Sequence, residues 1–132
     1  MKQEETNVTH SFMDGEVKWP FSEMSMSEYQ QLALSTAIYP KEMSIIYPTL
    51  GLCGESGEVA EKIKKWIRDT DRTEMNKETV ELLKKELGDV LWYIANLAND
   101  LGLTLNEIAK HNLNKLADRK DRNTLQGSGD TR

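Results

Sequence analysis

An all-α domain, a four-helix bundle, is predicted by three features of the chain. Val80, Leu83, Leu87, Val90, Ile94, Leu97 and Leu101 repeat at strict three-four spacing, the period of one helix face. A shorter seam falls at Leu52, Ser56, Val59, Ile63 and Trp66. Two capping boxes, Ser25 with Glu28 and Thr104 with Glu107, mark two further helix starts.

Residues 1–24 mix polar residues with Phe12, Val17, Trp19, Pro20 and Phe21 at no sustained period, so an irregular N-terminal arm is expected, its aromatic rings packed on the body. The first helix then runs from the Ser25 cap through Tyr29, Leu32 and Leu34 to about Ala37, where Tyr39-Pro40 ends it. Lys41 to Pro48 reads as a connector, and Pro48 suits the first position of the next helix, which needs no N–H. That second helix is expected from about Thr49 to Arg68. Gly51, Gly54 and Gly57 each cost a helix interior up to about 1 kcal/mol relative to Ala, so a backbone or ligand is expected close by; a frayed first turn is the alternative.

After a polar loop ending in an Asn76 cap comes the third helix, which carries the long repeat and stops at Gly102. The fourth passes through Ile108, Leu113 and Leu116. Residues 25–122 thus form one domain, and 123–132, with Gly127-Ser128-Gly129, a flexible tail unless something binds it.

Composition narrows the function. Of the 132 residues 30% are charged and the net charge is −5, which disfavours coating a nucleic-acid polymer through a basic face. One cysteine, Cys53, excludes an intrachain disulfide and reads as a small buried hydrophobe, and His111 as a surface helix residue. No apolar run approaches the ~20 residues that span a bilayer, and the polar N-terminus is unlike a signal peptide, so a cytoplasmic protein without a membrane partner is expected.

The chemistry sits in four carboxylates. Glu55 and Glu58 are three residues apart, as are Glu86 and Asp89, a spacing that puts each pair on one helix face with Cβ atoms roughly 5–6 Å apart. Each acid precedes a seam residue, so antiparallel packing of the second and third helices brings all four to the edge of the bundle core. Such a cluster repels itself and loses solvation unless a cation neutralises it. Oxygen-only donors suit Mg²⁺, or Mn²⁺ in its place, better than zinc or a di-iron centre, for which the histidines and Cys53 offer no spacing. The competing reading is four solvated helix residues in i,i+4 pairs such as Glu58 with Lys62. Lys62, Lys65, Asn112, Lys115, Arg119 and Lys120 lie where a polyphosphate would need them, or else they form a solvated face. Trp66, Trp92 and Tyr93 offer either a surface on which a base stacks or core packing.

The stretch Leu50-Gly51-Leu52-Cys53-Gly54-Glu55-Ser56-Gly57-Glu58-Val59-Ala60-Glu61-Lys62, followed by Glu86-Leu87-Gly88-Asp89-Val90-Leu91-Trp92-Tyr93, resembles the Glu-x-x-Glu and Glu-x-x-Asp signature of MazG-like nucleoside triphosphate pyrophosphohydrolases, in the all-α NTP pyrophosphatase superfamily. Asn112 to Lys120 is similar to the family's Asn-x-x-Lys segment, and the likeness spans roughly residues 26–122, in the manner of stand-alone, phage-type members. Cys53 and Ser56 stand where alanine is frequent. The resemblance implies hydrolysis of an NTP or dNTP to the monophosphate and pyrophosphate. It implies Mg²⁺ on Glu55, Glu58, Glu86 and Asp89, with phosphates held by Lys62, Asn112, Lys115, Arg119 and Lys120. Glu58 is the expected proton acceptor. A homo-oligomer, tetramer before dimer, is also implied. Two alternatives stay open: a dUTPase-like nucleotide diphosphatase, and a non-enzymatic helical oligomerisation module.

Overall fold

The structure is a computed structural model that describes residues 11–13, 16–18, 23–72 and 74–130, with side chains from 23 onward. Four helices carry the body: α1 (Met26–Ser35), α2 (Ile46–Asp69), α3 (Lys77–Asp100) and α4 (Leu105–Asp121). The arm is not wholly irregular as expected, because β1 (Ser11–Met13) and β2 (Glu16–Lys18) pair antiparallel with Phe12 opposite Val17. How the arm's aromatic side chains pack lies outside the described residues.

Both capping boxes form. The Ser25 N–H donates to Glu28 Oε2 at 2.7 Å, and the Glu28 N–H donates back to Ser25 Oγ at 3.2 Å. At α4 the Thr104 N–H donates to Glu107 Oε2 at 2.7 Å and the Glu107 N–H to Thr104 Oγ1 at 3.1 Å. The Asn76 side chain accepts the Thr79 N–H at 2.8 Å and opens α3. Gly102 ends it at φ +71°, as the C′ position requires; its N–H donates to Asn99 O and that of Leu103 to Ala98 O.

The start of α2 differs from expectation. A 3₁₀ turn, Lys41–Met43, interrupts the connector, and α2 begins at Ile46, three residues earlier than predicted. Pro48 sits inside the first turn, where the N–H groups have no intrahelical partner in any case. Ile45 takes φ +66°, a costly conformation for a β-branched residue. Asp100 at the end of α3 supports that corner, accepting the Ile45 N–H at 2.9 Å and the Tyr39 hydroxyl at 3.0 Å. Burial and this acceptor push the Tyr39 hydroxyl up to about 12.

The most extensive packing joins α2 to α3, while α1 rests on α3 and α4 rests chiefly on α1. The buried core is Ala33, Ala95, Ala98 and Leu105, with Tyr29, Trp92 and Ile94 against it. Gln30 ties α1 to the α3–α4 turn, donating to Leu103 O at 3.0 Å and accepting the Leu105 N–H at 2.9 Å. The long seam of α3 is therefore only partly covered within one chain: Val80 is 48%, Leu87 55% and Leu101 52% exposed. Small residues beside the seam, Ala95 and Ala98, form the interior with Ala33 of α1.

Candidate metal centre

The α2–α3 hairpin brings three of the four predicted acids together. Glu55 from α2 and Glu86 and Asp89 from α3 each offer a carboxylate oxygen, all within 4.8 Å of one another. Leu52, Glu55, Val59 and Lys62 of α2 and Leu83, Glu86, Val90 and Tyr93 of α3 are partly buried at three-four spacing, so Glu55 and Glu86 take places within the α2–α3 contact, whereas the predicted seam residues Ser56 and Leu87 are exposed. Glu55 and Glu86 are half-buried and Asp89 is exposed. The Glu55 carboxyl is pushed up, first by its loss of solvent and then by the charges of Asp89, Glu86 and Glu58.

Glu58 stands outside this trio. Its Oε2 lies 3.7 Å from Lys62 Nζ, which reaches across to Glu86 Oε1 at 2.8 Å. The hydrogen bond to Glu86 is the first cause holding the Lys62 ammonium above its ordinary value, with the charges of Glu86 and Glu58 also contributing. Lys62, read from the sequence as a phosphate ligand, is thus seated among the acids themselves.

The three glycines of α2 behave differently from one another. A Cβ on Gly51 would overlap Cε1 of Tyr93, so the ring approaches that backbone directly. Gly54 and Gly57, expected to admit a neighbour, have no described atom within 4 Å of a built Cβ. Gly51 is one turn before Glu55 and Tyr93 one turn after Asp89, so this contact sets the α2–α3 separation beside the acids. Tyr93 continues into an aromatic row with Tyr47 at 6.4 Å and Trp92 at 4.9 Å between centroids. Burial, Tyr47 and the charges of Glu55 and Asp89 raise the Tyr93 hydroxyl. The Gly51–Tyr93 pairing was missed in the sequence. Its one signal is a small residue four before Glu55 and an aromatic four after Asp89, visible only once the helix register is known.

The other candidates separate. Trp92 is committed to packing, its indole N–H donating to Thr36 Oγ1 at 2.8 Å. Trp66 lines a cavity of about 430 Å³ with Lys62, Lys65, Asn76 and Thr79. Cys53, expected to be buried, is exposed, because position 53 turns away from the α3-facing seam. On α4, Asn112 and Lys120 are exposed, as is His111. Lys115 and Arg119 share a face, and their ion-pair partner among the described residues is Asp130 rather than the acidic cluster.

The trio fits a hard divalent cation: its donors are all carboxylate oxygens, they converge from two rigid helices, and their mutual repulsion is what such a charge relieves. The family model of the MazG nucleotide pyrophosphohydrolase domain matches residues 48–123. The "Gene 37 protein" of Mycobacterium phage L5 is 47% identical over 115 residues, covering 83% of this chain and 100% of that protein. The crystal structure of iMazG from Vibrio DAT 722 matches with a TM-score of 0.52 and 26% identity over 74% of this chain and 97% of that one. On the matched domain and this relative, the chain belongs to the MazG nucleotide pyrophosphohydrolase family.

Proposed function

We propose that this protein hydrolyses (deoxy)nucleoside triphosphates to the nucleoside monophosphate and pyrophosphate, with Mg²⁺ held by Glu55, Glu58, Glu86 and Asp89. The observation that carries the reading is the convergence of Glu55, Glu86 and Asp89 within 4.8 Å, inside a domain of the MazG family. When bound, the cation neutralises the charge that develops on phosphate oxygens and acidifies water. The chain's own residues do the remainder. Glu58, half-exposed and one turn beyond Glu55, accepts the proton of the attacking water. Lys62, already balanced between Glu58 and Glu86, turns its ammonium to the phosphates once a cation takes over the acids. Asn112, Lys115, Arg119 and Lys120 of α4 complete the grip on phosphate. Because α4 rests chiefly on α1, that grip is best supplied by α4 of a second copy.

A homo-oligomer, expected as a tetramer and otherwise a dimer, accounts for the uncovered apolar surface. Leu50 at 66%, Leu87 at 55% and Leu113 at 65% exposure are large apolar side chains without cover in one chain. A cytoplasmic location is part of the same proposal; no helix among the described residues is long and apolar enough to cross a membrane.

The test is a panel of NTPs and dNTPs incubated with the protein and Mg²⁺. Release of pyrophosphate and a monophosphate, lost in Asp89→Asn and in Glu58→Gln, is the expected result. No turnover across the panel, or undiminished turnover in both variants, would sink the reading. Activity on dUDP would instead indicate the dUTPase-like diphosphatase. Oligomers that neither turn over nucleotide nor melt higher with Mg²⁺ and a nucleotide analogue would leave the helical module.

A further inference from the structure

The tail after α4 is built to return. Asn123 takes φ 56°, Gly127 φ 114° and Gly129 φ +83°, left-handed conformations that Gly and Asn adopt at low cost. The Thr124 N–H donates to Arg119 O at 2.7 Å and starts the reversal. The chain then passes back over α4 and presents acceptors to one side chain. Arg119 Nη2 donates to Asp130 O at 3.0 Å, to Asp130 Oδ1 at 3.1 Å and to Gly129 O at 3.4 Å. The same Asp130 oxygen lies 3.5 Å from Lys115 Nζ.

The two partners are unequally exposed. Arg119 is 5% exposed beneath the tail, whereas the Asp130 side chain is 85% exposed on top of it. Arg119 Nε is buried and has no hydrogen-bond partner among the described residues, so the strap of residues 127–130 does not satisfy every donor of this charged group. One carboxylate oxygen is shared between two cations, where a phosphate group would bring three or more oxygens and meet the guanidinium fork along both edges. The Arg119 guanidinium holds the Asp130 carboxyl below its ordinary value, as expected for an anion seated on cations.

We infer that residues 127–130 form an autoinhibitory strap: Asp130 occupies the Lys115–Arg119 pair in the place of a substrate phosphate, and the tail and a polyphosphate compete for it. This rests on the assignment of Lys115 and Arg119 to phosphate under Proposed function. Because the Asp130 contact is solvent-exposed, the strap is weak and opens readily, so it tunes affinity rather than blocking the site.

The full chain is compared with Asp130→Asn, Asp130→Glu and a form lacking 127–132, by calorimetric titration with tripolyphosphate at low salt and by nucleotide turnover. Asp130→Asn is expected to bind tripolyphosphate about two- to fivefold tighter, the deletion at least as much, and Asp130→Glu as the parent does. KM for the triphosphate falls by the same factor with kcat unchanged. A merely structural tether is recognised by a lower thermal midpoint in Asp130→Asn with tripolyphosphate binding unchanged or weaker, and that result overturns the inference. So does undiminished binding in Lys115→Ala and Arg119→Ala. If no nucleotide is turned over, the proposed activity fails by itself, while the tripolyphosphate titrations still decide on the strap.

Discussion

The two halves of α3 carry one apolar repeat and meet opposite surroundings. Toward its C-terminus Ile94 packs with its neighbours Ala95 and Ala98, buried at 0% and 2% exposure, against α1 and the start of α4, and only the terminal Leu101 of the repeat is exposed there. Toward its N-terminus Val80 and Leu87 are half-exposed, and the acids Glu86 and Asp89 lie among them. The period therefore specifies which face is apolar, and not what covers it. The half that holds the core has little room to vary, and the half that holds the acids is open to a cation, a substrate and a second copy.

The largest effect expected from probing this contrast is on activity. Asp89→Asn at the open half should lower kcat by about 10²–10³-fold, the scale of losing one charged group that stabilises a transition state. Its thermal midpoint should stay level, since Asp89 is exposed and its loss relieves repulsion on Glu55. Turnover and melting measured on one preparation separate the two. A midpoint that falls with activity would mean that the acidic half is structural as well.

Next comes packing. Ala95→Leu at the closed half should cost about 1–3 kcal/mol by overpacking, read by denaturant titration. Gly51→Ala should cost a similar 1–3 kcal/mol because the Tyr93 ring must move away. Gly57→Ala should instead gain up to about 1 kcal/mol from helix propensity, having open space around it within the chain. A loss at Gly57 would point to a neighbour supplied by another copy. Leu87→Asp tests that neighbour directly: sedimentation should show dissociation of the oligomer, whereas Ala95→Leu leaves the assembly state unchanged.

The smallest effect concerns the helix starts. Thr104→Ala should cost about 1 kcal/mol through the lost cap. The Glu107 carboxyl is held below its ordinary value, first by the Thr104 N–H and then by its hydroxyl. A lowered folded-state pKa means stabilisation present above the ordinary carboxylate range and lost as pH falls through the lowered value. Carboxyl NMR titration should place Glu107 below an unperturbed glutamate in the parent protein and closer to it in Thr104→Ala.

What was legible in the sequence was local or periodic. Ser25 with Glu28, Thr104 with Glu107, Asn76 and Gly102 each announce a helix end, because a cap involves residues three or four apart in the chain. The meeting of Glu55 with Glu86 and Asp89 was legible in part: two periodic seams in consecutive helices imply an antiparallel pair, but Glu55 and Glu86 lie in the contact itself, with the predicted seam residues Ser56 and Leu87 exposed. The early start of α2 was not, because it depends on Asp100 accepting the Ile45 N–H from the far end of α3.

The sequence by itself determined the four helices, their capped ends and the acidic faces, since those follow from spacing along one chain. Only the tertiary structure decided which glycine admits a ring, that Glu58 pairs with Lys62 instead of joining the trio, that Cys53 is exposed, and that Asp130 returns to Arg119. Those outcomes depend on distances between elements remote in sequence. Such distances are set by the volumes of the side chains packed between them, which no spacing along the chain records.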